Sequence, residues 1–288
     1  MSWKINRESA LFLGAARAAL LQLAHPWVAT ALEQHSNVMS RPIERFHNTF
    51  RIVFAMIFGT LDQAAAAARH LHTVHTHIAG EMPEHIAAYR RGSRYEANEI
   101  AALRWVFATL IESAVLAYEC ALGPLTGSEL ARYFGDSRTL AGLFGLPPSE
   151  LPDDWAGFLA YCREMEQSNL VAVSPRARIM AHDLLAGAGS WIKPPHWYRA
   201  LTTEWLPQRF RQEFELAFGE DDRHAAERAK RWLPRFYRRL PDAVRFIGPW
   251  HEAQARLSGQ RVGPVARNAN RFWIGQPQLP FADGKSRA

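Results

Sequence analysis

The chain has 288 residues, 48% of them hydrophobic, so it can bury a large core and falls between one big domain and two ordinary ones. Its formal net charge of +6 permits contact with nucleic acid or an anionic membrane but has no bearing on fold. The two cysteines, Cys120 and Cys162, sit inside apolar helical patterns, which excludes a disulfide framework and points to core positions in a reducing compartment.

Along the chain the periodicity is helical almost everywhere, and no alternating run with hairpin punctuation stands out. Leu11, Leu13, Ala18, Leu21 and Leu23 mark an early helix that the Pro26 region bends or ends. Arg17, Gln22, His25 and Pro26 interrupt this apolar stretch before the ~20 residues a membrane span needs, and the stretch after Lys4 and Arg7 is too short for a good secretory signal. A soluble, cytoplasmic protein is the expectation. Phe46, Phe50, Val53, Phe54 and Ile57 form a second apolar stripe. Thr60 and Gln63 read as a capping box and Gly80 as a stop, predicting a helix over about 61–79. Further helix starts are expected at Pro83 ahead of "EHIAAY", at Pro152, Asp153 and Asp154 ahead of "WAGFLAY", and at Ser174-Pro175 ahead of "RARIMAHDLL". In "RHAAERAKRWLPRFYRRLPDAVRF" arginines interleave with Trp232, Phe236 and Tyr237, which reads as a helix with its aromatics packed inward and its arginines in water. From about Gly259 the periodicity fades. The expected organisation is all-α, with one helical domain over 1–258 and an extended, irregular C-terminal arm over 259–288.

"RHLHTVHTHIAG", residues 69–80, puts His70, His72, His75 and His77 into eight positions. At about 100° per residue, His75 shares a sector with Ala64, Ala67, Ala68, Leu71, Val74 and Ile78, while His70 and His77 lie on one flank and His72 on the other. Tetrahedral zinc needs its ligands within about 2.1 Å of one point, so this spread does not make a four-histidine site. One imidazole in a small-residue stripe is left. It suits a core histidine bonded to a polar neighbour, and it also suits an axial ligand that a flat macrocycle can approach. Glu44 and His47 form a lone ExxH pair where a di-iron bundle uses two, and "GAGSW" lacks the G-x-S-x-G pattern of a hydrolase elbow. Neither GxGxxG nor GxxxxGK[ST] occurs.

"LQLAHPWVATALEQHS", "RPIERFHNTFRIVFAMIFGT", "HTHIAG", "LRWVFATLIESAVLAYE", "LPDDWAGFLAYCREM" and "VSPRAR" follow one another in an order that resembles the bacterial family of MpaB-type oxygenases and the latex clearing protein, a rubber oxygenase. The resemblance covers about residues 7–257. It implies an all-helical domain with a globin-related core that binds haem b and uses dioxygen on carbon-carbon double bonds of isoprenoid chains. The H-x-x-[VI]-x-G element implies that His75 is the proximal iron ligand, with Ile78 and Gly80 completing the motif. The R-x-x-x-T element implies that Arg45 and Thr49, an i, i+4 pair, line the haem pocket on the opposite side. His25 and His35 also match motif positions, His25 as a junction residue fixing the turn before Pro26. Asn48 stands where latex clearing proteins carry a lysine, and Phe107 where many relatives have a histidine, which would make the pocket more apolar. Glu33 and Glu44 are loose candidates for a general base. The function implied is a haem-dependent oxygenase acting with dioxygen on a hydrophobic, isoprenoid or unsaturated-lipid substrate. A haem-binding sensor or carrier without turnover stays open beside it. So does a basic helical protein that docks on a membrane or nucleic acid through its C-terminal third, with no specific nucleic-acid recognition expected.

Overall fold

The structure, a computed structural model, describes residues 1–35, 42–190 and 193–280. In chain order they form α1 (Ser2–Asn6), a 3-10 turn (Ser9–Leu13), α2 (Ala15–Leu23), α3 (Pro26–His35), α4 (Pro42–Phe58), α5 (Leu61–Thr76), β1 (Ala79–Glu81), β2 (Arg94–Glu96), α6 (Ile100–Leu122), α7 (Gly127–Leu143), α8 (Trp155–Gln167), α9 (Pro175–Ala186), α10 (His196–Trp205), α11 (Gln208–Glu213), α12 (Glu220–Tyr237), α13 (Asp242–Arg245), α14 (Gly248–Leu257) and α15 (Pro264–Ile274). The fold is all-α, with one small sheet in which Gly80 pairs with Tyr95 in antiparallel register.

α6 is apolar over most of its circumference, with Arg104, Glu112 and Glu119 along one side, and among the described residues it is the one helix long and apolar enough to cross a membrane. Here it is the central helix: Trp105, Phe107, Ile111 and Val115 are buried, and α1, α2, α8 and α12 pack around it. The Trp105 indole N–H donates to the Leu21 carbonyl at 2.8 Å, pinning α6 to α2. Arg17, buried on α2, donates to the Ser113 hydroxyl (2.9 Å), the Glu112 carboxylate (2.8 Å) and the Trp205 carbonyl (2.9 Å), so one guanidinium ties three helices together. Three of the apolar clusters position the site. Leu20, Trp105 and Phe210 centre the first, Phe107, Tyr133 and Phe158 the second, and Phe54, Phe58 and Ile274 the third.

Local signals explain most helix boundaries. Asp154 and Ser174 cap α8 and α9 by accepting from the Gly157 and Ala177 amides, and the Thr60/Gln63 capping box opens α5. Four expectations are corrected. The early helix is two pieces, because a Cβ at Gly14 would lie 2.4 Å from the Ser113 carbonyl oxygen and the chain bends where it crosses α6. Pro83 starts no helix. The segment after it turns back through an Ile86–Tyr89 bridge, joining the two strands that the sequence did not suggest. α5 stops at Thr76, three residues early, and Gly80 belongs to β1. The arm is not irregular throughout, since Pro264 at the first turn and Gly275 after the last residue bound α15.

Candidate functional site

Between α3, α4, α5 and α6 lies a cavity of about 810 Å³, within the ~300–1,000 Å³ common for small-molecule and cofactor sites. α6 contributes Leu103, Val106 and Leu110, and α3 contributes Val28 and Leu32. Phe107 does not line it. The helical turn sends that ring the other way, into the second cluster, where it meets Phe144 with ring centroids 5.7 Å apart. The expectation that Phe107 makes the pocket apolar is thus corrected; Val106, its neighbour, does so.

His75 stands on the last turn of α5 and faces the cavity with His70, Leu71 and Val74. The alanines before it do not form the cavity floor. Ala67 and Ala68 pack with Phe54 and Phe58 of α4, so their small size serves helix-helix contact. Burial pushes the His75 pKa below the ordinary imidazole value. A hydrogen bond with the Asn98 side chain works in the other direction, and the nearby His72 and Arg45 lower it further. The ring is therefore neutral near pH 7 and offers a lone pair on one of its nitrogens. His72 and His77 lie outside the cavity, where the His77 Nδ1–H donates to the Thr73 carbonyl at 2.7 Å. Among the described residues no three His, Cys, Asp or Glu side chains converge on a common point.

One face of α4 brings Arg45, Asn48, Thr49 and Ile52 to the same cavity at i, i+3, i+4 and i+7, with Arg45 near enough to His75 to lower its pKa. Arg45 keeps accessible surface, yet protein around it lowers its pKa from the ordinary guanidinium value by desolvation. Both facts follow from a side chain that faces an interior space. The guanidinium stays charged, so the cavity lining carries a fixed positive group as well as a neutral imidazole.

A polar strip closes the α3 side. His35 lies 3.1 Å from the Tyr95 hydroxyl, which donates to the Gln34 amide oxygen at 2.6 Å. A phenol has one proton to give, so His35 Nε2 donates to Tyr95. Gly80 is required beside this trio because a Cβ there would lie 2.6 Å from the Tyr95 hydroxyl oxygen. His25 does not line the cavity. It is buried at the α2–α3 junction, with its Nε2 3.3 Å from the Tyr89 hydroxyl. Desolvation pushes its pKa down to about 4.

The last part of the wall comes from the end of the chain. Gln276 and Pro280 line the cavity, held in place by polar side chains of α4, α5 and α14. Arg51 donates to the Ile274 carbonyl (2.8 Å), His47 to the Phe272 carbonyl (3.0 Å) and Gln63 to the Pro280 carbonyl (3.1 Å), while Glu252 accepts from the Leu279 amide (2.9 Å).

Of the residues singled out in sequence, His75, Ile78, Arg45 and Thr49 meet in one cavity and His25 stands beside it. Tyr95, Gln276 and Pro280 were missed. The glycine at position 80 was the only signal for Tyr95, and it was read as a helix stop. An all-α domain with an apolar cavity lined by a neutral imidazole and an arginine belongs to the class of helical small-molecule sites rather than to nucleotide or polynuclear metal sites. The chain belongs to the family described as ER-bound oxygenase mpaB/B'/rubber oxygenase, catalytic domain, whose model matches residues 3–246. Every cavity residue except Gln276 and Pro280 falls in that span. No curated protein and no solved structure matches the chain.

Proposed function

We propose that this protein is a haem b-dependent oxygenase that uses dioxygen on a hydrophobic substrate of isoprenoid or unsaturated-lipid type. The observation that carries the reading is that the neutral imidazole of His75 lines one largely apolar cavity together with Arg45 and Thr49. The residues present fit a haem: His75 would supply a nitrogen to its iron within a largely apolar lining. When bound, the group supplies the electrons and oxygen activation that side chains lack.

The protein's own residues do the rest. His75 would hold the iron through a ring nitrogen, with the Asn98 side chain beside it as the group that would orient the ring. Arg45 and Thr49 offer a positive charge and a hydroxyl to an anionic oxygen, on the cofactor's carboxylates or where charge develops in the reaction. Leu103, Val106, Leu110 and Val28 hold an apolar chain and exclude water. Asn48 places an uncharged amide beside them, so a lysine-type cap over the reacting centre is absent from this position.

Purified protein should take up haem with a sharp Soret absorption band, and His75→Ala should lose or shift it. A wild-type protein that stays colourless with added haem would sink the haem reading, and an unchanged spectrum in the variant would sink the role of His75. Steady oxygen consumption with a polyisoprenoid or unsaturated lipid supports turnover, whereas haem binding without consumption favours a carrier.

A further inference from the structure

The aromatics of α12 were expected to pack inward. Only Tyr237 does. Trp232 and Phe236 are 39% and 56% exposed, and Val244, on the adjoining α13, is 58% exposed. At about 100° per residue, Arg228, Arg231, Trp232, Arg235, Phe236 and Arg239 occupy one outer sector about 140° wide, opposite the buried Ala226, Leu233 and Tyr237. Residues 228–239 hold six basic side chains and no acid. Lys230 is paired with Glu204 and Arg238 caps the Leu122 carbonyl, but among the described residues Arg228, Arg231, Arg235 and Arg239 have no carboxylate at ion-pair distance.

We infer that this face of α12 docks the protein on an anionic lipid surface. Uncompensated arginines flanking exposed aromatics on an amphipathic helix are what an interfacial helix presents: the charges meet acidic headgroups while Trp and Phe enter the acyl boundary. Trp232 is held edge-on against Trp197 (5.3 Å) and Phe236 (6.0 Å), so the aromatic patch is ordered before contact. A second copy of the chain is a poor occupant because it would bring the same unpaired arginines against themselves. Duplex nucleic acid would use the arginines but offers no apolar layer to the exposed Trp232 and Phe236 rings. α6 is enclosed in the core, so within the described residues contact with a bilayer has to come from the outer surface.

The test is co-sedimentation of the full chain with vesicles of phosphatidylcholine, with and without phosphatidylserine, across a salt series. Binding should require phosphatidylserine and fall as salt rises. The fourfold variant R228Q/R231Q/R235Q/R239Q should bind at least a hundredfold more weakly, at about fivefold per arginine, and the corresponding fourfold lysine variant should keep most of the binding. W232A/F236A should weaken it independently of salt. All these positions are exposed, so circular dichroism should stay native. Three results overturn the inference: no binding to phosphatidylserine vesicles, equal binding by the natively folded glutamine variant, or tighter salt-sensitive binding to duplex DNA than to vesicles. None depends on haem, so the outcome is separate from that of the functional reading.

Discussion

Acidification should loosen the cavity through His25, and the size of the effect follows from its position. The imidazole is buried, its Nδ1 has no hydrogen-bond partner among the described residues, and desolvation holds its pKa at about 4 against 6.5 for a free imidazole. A base with a depressed folded-state pKa binds more protons when unfolded, so its contribution is intact above pH 6.5 and is lost as pH falls toward 4. The difference of 2.5 units, 6.5 minus 4, corresponds to about 3.4 kcal/mol in full and about 2.5 kcal/mol between pH 7 and pH 4.5. Urea unfolding of wild type and His25→Gln across that range separates the effects: a constant offset between the curves measures packing, and a difference in slope measures the imidazole. His25 immediately precedes α3, which carries Trp27, Val28 and His35 into the cavity wall, so ligand affinity should fall over the same window. Parallel stability curves with no difference in slope would refute the argument.

Gly80→Ala should cost about 1–3 kcal/mol by overpacking against Tyr95 and should disturb the His35–Tyr95–Gln34 strip. Thermal unfolding, together with an altered ligand affinity, checks it. Phe107→Ala should cost about 3–5 kcal/mol in chemical denaturation while leaving ligand affinity of the folded protein nearly unchanged, because the ring is in the core rather than the cavity wall. Asn98→Ala removes the hydrogen bond that raises the His75 pKa, so an NMR titration of the ligand-free protein should show His75 titrating below 6.5 in wild type and lower still in the variant. An upward shift would contradict the assigned contact.

Where a boundary was set by neighbours in sequence, it could be read. Asp154 and Ser174 satisfy amides three residues on, and Thr60 and Gln63 do so reciprocally, so α8, α9 and α5 start where expected. The i, i+4 spacing likewise put Arg45 and Thr49 on one face, and the resemblance to a known family had already set that face opposite His75. What failed depended on distant partners. Gly80 looked like a helix stop, but its reason is a tyrosine fifteen residues later on the paired strand. Phe107 and Val106 are neighbours on a helix apolar over most of its circumference, and periodicity alone does not say which one faces a cavity and which one faces the core. α15 escaped because its inner face holds Ala266, Asn270 and Ile274. Only Ile274 is strongly apolar, and Asn270 is buried through its bond to Glu252 (2.6 Å).

The wall formed by Gln276 and Pro280 links exchange kinetics to local stability. Matching stops at residue 246, so this wall is laid over the family's catalytic domain by a segment outside the matched span, fastened by Arg51, His47, Gln63 and Glu252. Opening it means breaking those bonds together, a sub-global event whose free energy is smaller than that of global unfolding. The residence time of whatever fills the cavity is then tied to how often residues 264–280 detach, and occupancy must in return hold the segment down. Amide exchange across α15 should slow when the cavity is filled, and cutting the chain before Pro264 should speed both capture and release.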